Sequence, residues 1–190
     1  MSYQAPLMLG ESSHSKYNRN TIYIDDHTSN PDRDFNDYIF SIKAGNDAFF
    51  TGPLNTQSNA PGSATTVTVG GISYPVAQFS QFQLVVNSVH FMTCRWKRDA
   101  NMCSRLLFVK TDLNYLFGSY AYCTDVVEDY TIPSTSNHPN GIPVGIYNVY
   151  VSQTNSNNDC NCSAGWQAVG SNARIKMGTD SQYTTWNVGT

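Results

Sequence analysis

Charge is what this chain has least of. Asp, Glu, Lys and Arg together make up 13% of its 190 residues, where about 25% is usual. Such a surface must rest on neutral polar groups instead of salt-bridge networks. With hydrophobic residues at 40% the chain can still bury a core, which separates it from the disordered class. A net charge of −3 gives no general attraction to nucleic acid or to an anionic membrane. No apolar run approaches the roughly 20 residues of a membrane-spanning helix. Met1-Ser2-Tyr3 opens the sequence without a basic or long apolar stretch, so no secretory signal is expected. A location outside the cell or on a particle surface is expected over the cytoplasm.

Catalytic motifs are missing too. There is no Gly-x-Ser-x-Gly elbow, no phosphate-binding loop and no His-Glu-x-x-His, which sets aside the common hydrolase, nucleotide and zinc-protease chemistries. Asp125, Glu128 and Asp129 could supply a glycosidase pair but read as an exposed acidic turn. His14, His27, His90 and His138 are scattered without metal-ligand spacing. The chain is expected not to be an enzyme. Five cysteines, Cys94, Cys103, Cys123, Cys160 and Cys162, leave one thiol over unless it bridges two chains. The pairing of the others stays open, with Cys94 and Cys123 expected as small buried residues.

Long helical periodicity is also lacking. The best helical candidate, Asp112 to Phe117, is short. Period-two alternation is what is present, in 38–42, 66–69, 82–86, 106–109, 145–151, 174–177 and 183–186. β-Branched and aromatic residues fill these runs, as a pleated, half-buried surface prefers. Turn residues separate them at Gly70-Gly71, 137–141 and 154–158, and 51–65 reads as a polar Pro/Gly loop. The expected fold is all-β, an antiparallel sandwich or jelly roll, as one domain spanning 1–190.

The acids are concentrated. Asp25, Asp26, Asp32, Asp34 and Asp37 crowd one short segment that carries more negative charge than the whole chain, even with Arg33 counted. Carboxylates so close repel one another unless a cation compensates them. Calcium takes about six to eight oxygen ligands, with Asp and Asn among its usual donors. Asp32, Asp34 and Asn36 alternate, so a curled loop can turn three oxygens inward, with Asp37 extending the wall. Asp25 and Asp26 can close the site from the preceding strand. An EF-hand does not fit, because Asp37 stands where its Gly belongs, Lys43 where its Glu belongs, and a strand pattern follows. The segment 25–37 is therefore expected to be a calcium loop between strands.

The run Asp32-Arg33-Asp34-Phe35-Asn36-Asp37, followed by an apolar strand, resembles the Asp-x-Asp-aromatic-Asn-Asp motif of the bacterial two-calcium fucose/mannose-binding lectins. It is similar also to a signature of secreted bacterial β-domains. The resemblance implies that Asp32, Asp34, Asn36 and Asp37 hold calcium, with Asp25 or Asp26 in the place of the upstream acidic pair. It implies further that a carbohydrate completes the coordination beside Asp26, Asp34, Asn36 and Asp37. The function expected first is a calcium-dependent lectin-like module. The second is a structural subunit of a capsid, fibre, crystal or surface layer, its loop braced by calcium. A homo-oligomer suits both. The basic-aromatic cluster Arg95-Trp96-Lys97-Arg98 reads as an exposed strand end or a contact between subunits.

Overall fold

Thr, Val, Ile, Tyr and Phe dominate the regular segments, and these form strands throughout. The computed structural model describes residues 20–25, 33, 35, 37–43, 46–53, 59–88, 91–97, 103–121, 128–133, 138–154 and 162–178. Among them run β1 (Thr21–Asp25), β2 (Tyr38–Ile42), β3 (Ala48–Thr51), β4 (Ala64–Val69), β5 (Ile72–Val86) and β6 (Met92–Lys97). Then follow β7 (Ser104–Lys110), β8 (Leu116–Ala121), β9 (Glu128–Ile132), β10 (Gly145–Thr154), β11 (Trp166–Ala168) and β12 (Arg174–Gly178). No helix among the described residues is long and apolar enough to cross a membrane.

The strands form two antiparallel sheets. One has five strands in the order β12-β1-β2-β6-β9. The other has seven: β3-β5-β10-β7-β8, with β4 added on β5 and β11 on β10. Alternation along the strands builds one core that both sheets share. Ile22, Ile24, Tyr38, Phe40, Ile175 and Met177 come from the five-stranded sheet. Phe50, Leu84, Phe108, Phe117, Tyr147 and Val149 come from the seven-stranded one. The Phe40 ring lies 6.4 Å from that of Phe50 and 5.7 Å from that of Phe108, so aromatic contacts bridge the sheets at a separation that favours them.

β5 changes phase midway. Phe82 and Leu84 face the shared core, and so do Ala77 and Phe79, an odd step that flat pleating forbids. The register against β10 shifts at the same place, from Asn148↔Gln83 to Tyr150↔Gln78. Such an irregularity bends a strand. One part of β5 pairs with β3 and the other with β4.

The short helix expected at Asp112 to Phe117 does not form. Asp112 Oδ1 accepts from the Asn114 amide at 3.2 Å, and Leu113 takes a φ of 61°. This local side-chain bond closes a turn between β7 and β8, as Asp commonly does in competition with a helix. The loop expected at 51–65 is interrupted by a bridge from Asn59 to Ile175 and gives way to β4 at Ala64. The strand expected at 183–186 lies outside the described residues.

Candidate functional site

The acidic segment begins where β1 ends. Asp25 stands opposite Arg174 of β12, and its side chain is buried. It meets the cation of Arg33, whose Nη1 is 3.8 Å from Asp25 Oδ2. The same nitrogen donates to the Asn172 carbonyl at 2.9 Å, which ties the segment to the approach to β12. Phe35 is buried too, and Lys176 Nζ lies 4.3 Å from its ring centre and 5.7 Å from that of Tyr23. Ile39 packs with Tyr23 on this same outward side of the sheet.

Arg33 and Phe35 have φ of 63° and 60°, a left-handed backbone unusual for such residues. They are the residues between the expected donors. The fold thus draws the spacers, a cation and a ring, onto the outer face of the five-stranded sheet.

Among the described residues no group of three or more His, Cys, Asp or Glu comes together as a metal site would require. The expectation of calcium is corrected accordingly, and the lectin-like reading and the resemblance behind it go with it. Asp25 sits buried at the sheet beside a guanidinium, and Asp37 is buried at the entrance to β2. Asp26, Asp32, Asp34 and Asn36 lie outside the described residues, as do His14, His27, His90, Arg98 and Asp125. Arg95 and Trp96 fall opposite Asp129 and Glu128 in the pairing of β6 with β9. Glu128 and Asp129, expected in an exposed turn, thus belong to a strand.

The feature that sequence reasoning missed lies on the outer face of the seven-stranded sheet. There a second apolar cluster forms from Val67, Val76, Leu107, Val109 and Tyr150, with Val69, Tyr74 and Leu116 partly buried against it. β7 is therefore apolar on both faces, since Leu106 and Phe108 point to the shared core. Arg105 ends this stripe. Its side chain is 5% exposed, with its guanidinium carbon 4.5 Å from the Trp166 ring and 5.4 Å from the Tyr74 ring. A desolvated guanidinium over aromatic faces gains about 2 kcal/mol. One cation thereby joins β7, β11 and the hairpin made by β4 and β5. The disulfide Cys103–Cys162 closes the same corner, and Thr154 of β10 bonds Cys103 through both its amide and its hydroxyl.

The hairpin so anchored projects an exposed strand. Ala64, Thr65, Thr66 and Thr68 of β4 are exposed, and Ile72 beyond the turn is 59% exposed. Leu113, Val144 and Ile146 are further large apolar residues in contact with solvent. Only the doublet Gly70-Gly71 and the Thr/Val alternation hinted at this hairpin in the sequence. Compared with protein-family models, with curated proteins and with solved structures, the chain matches none of them.

Proposed function

We propose that this chain is a non-catalytic structural subunit that associates with copies of itself through its β-sheet surface. The observation that carries the reading is a distribution of charge. From Ala48 to Cys94 the sequence contains no Asp, Glu, Lys or Arg. That stretch supplies β3, β4 and β5, one flank of the seven-stranded sheet. Solvent-exposed flanks normally carry charge, whereas the core of an interface is depleted of it. Ile72, Leu113, Val144 and Ile146 add exposed apolar area of the kind an assembly covers.

The finer architecture belongs to the same reading. The two sheets are taken as layers of a jelly-roll-type β-sandwich, one domain over 1–190. The shared core supports this, and so does the crossing order, since β6 and β9 leave the larger sheet between strands that stay in it. Rigid sandwiches of this kind tile well because their faces and edges are fixed. The disulfide Cys103–Cys162 supports an oxidising location, outside the cell or on a particle.

Sedimentation velocity across a hundredfold range of concentration tests the function. Association that grows with concentration is expected. A chain that stays monomeric throughout sinks the proposal.

A further inference from the structure

We infer that two copies of this chain join by antiparallel pairing of β4 with β4 about a twofold axis at Val67. This names the partner and surface of the assembly proposed above and rests on that reading. Among the described residues β4 has β5 on one side and no strand on the other. An open edge is a template for another strand, and proteins usually guard it with Lys, Pro, a bulge or brevity. β4 reads Ala-Thr-Thr-Val-Thr-Val, six β-formers in the main with no guard of that kind. The other edges differ. β3 is four residues long and runs into Gly52-Pro53. β8 carries a glycine at Gly118, β11 is three residues long, β9 bears Glu128 and Asp129, and β12 bears Arg174 and Lys176.

The hairpin turn fixes which backbone groups face outward. Gly70 and Gly71 have φ of 61° and 80° and form a two-residue turn closed by the pair Val69↔Ile72. In such hairpins the closing pair exchanges hydrogen bonds, and alternate pairs along the ladder do the same. Val69, Val67 and Thr65 therefore bond β5. The amides and carbonyls of Thr68, Thr66 and Ala64 point to the open edge. That edge takes an extended strand, and β4 is complementary to itself.

Placed about Val67, the two edges set Thr66 opposite Thr68 of the partner subunit, so that outward-pointing groups meet each other. Val67 then meets Val67 of the partner subunit on the face that already carries the outer apolar cluster. The cluster ends at β4 with Val69 only partly buried, and a second copy continues it. No charge opposes the approach. Tyr74, opposite Val67 on β5, is held by Arg105, so the edge is ordered before it pairs and little freedom is lost on binding.

The test is a charge exchange in the full chain, read by sedimentation with circular dichroism as a check on folding. T66K/T68K sets Lys opposite Lys in both symmetric pairs and should weaken association at least about tenfold. T66K/T68E sets Lys opposite Glu and should associate like the wild type. V67C should form a covalent dimer on mild oxidation beyond any that the native cysteines give the wild type, and this holds the proposal to account if the Lys variants misfold. Undiminished association of T66K/T68K with no V67C dimer overturns the β4 interface and leaves self-association standing. Equal dispersal of both double variants overturns the register. A monomeric wild type overturns the interface and the proposed function together.

Discussion

Gly52 occupies a position that no side chain fits. Its φ is 137°, and a Cβ there would stand 2.6 Å from the Gln81 carbonyl oxygen and 2.7 Å from Phe82 Cδ1. Those atoms belong to the bend of β5, where the pleat changes phase, so neither can move without disturbing the shared core. Gly52→Ala combines backbone strain with a clash against main chain and is expected to cost about 2–4 kcal/mol. Gly70→Ala meets nothing within 4 Å and should cost only the left-handed conformation, about 1–2 kcal/mol. Urea denaturation of both variants ranks them, and an equal cost would locate the bend elsewhere. Tyr147 makes a second residue-level argument. Its hydroxyl donates to the Pro143 carbonyl at 2.6 Å. Burial, then the neighbouring Tyr115, then Asp112 raise its pKa well above the ordinary 10.0. The folded state keeps the phenol neutral while the unfolded chain ionises near pH 10. Stability from this group is therefore full below that pH and is lost as pH rises further. Tyr147→Phe should lose about 1 kcal/mol at neutral pH yet decline less steeply in alkali. An alkaline decline identical to the wild type would exclude Tyr147 as its source.

Among elements, the corner where β7, β10 and β11 meet is fastened covalently. Cys103 precedes β7 and Cys162 precedes β11, at a sequence separation of 59. A loop of that size restricts the unfolded chain enough to contribute about 3–4 kcal/mol. Cys103→Ser should lower the denaturation midpoint accordingly, and a reductant should do the same to the wild type and nothing to the variant. The bond was not legible in the sequence, because five cysteines at irregular spacing allow many pairings and nothing local selects one. Some strands were more legible than others. The alternation at 38–42 matches β2, Tyr38–Ile42, and 145–151 opens β10. β5 shows its period only at 82–86, because its pleat changes phase before that. β7 shows itself only at 106–109, the apolar run between Arg105 and Lys110. The acidic segment misled for a physical reason. A donor pattern records which oxygens a loop carries, but whether they converge depends on where the spacers go, and Arg33 and Phe35 go to the sheet.

At the scale of the whole molecule, the chain divides by charge. The five-stranded sheet carries Asp25, Arg174 and Lys176 and, on its far strands, Arg95, Lys97, Glu128 and Asp129. One flank of the other sheet carries none. An assembly built through that flank should respond to solution conditions differently from one built on ion pairs. Raising salt from about 0.1 M to about 1 M shortens the screening length from about 10 Å to about 3 Å, which weakens contacts between opposite charges. Strand pairing through Thr and Val has no such contact to lose. Its apolar part is strengthened by excluded salts such as sulfate. The dissociation constant should therefore change less than about twofold in sodium chloride and tighten in sulfate. The melting temperature should rise with protein concentration, because association draws on the folded state alone. Sedimentation equilibrium in the two salts, with melting curves at several protein concentrations, measures each of these. Dissociation by sodium chloride would place the contact on the charged sheet, with Arg95 and Lys97 as the first residues to replace.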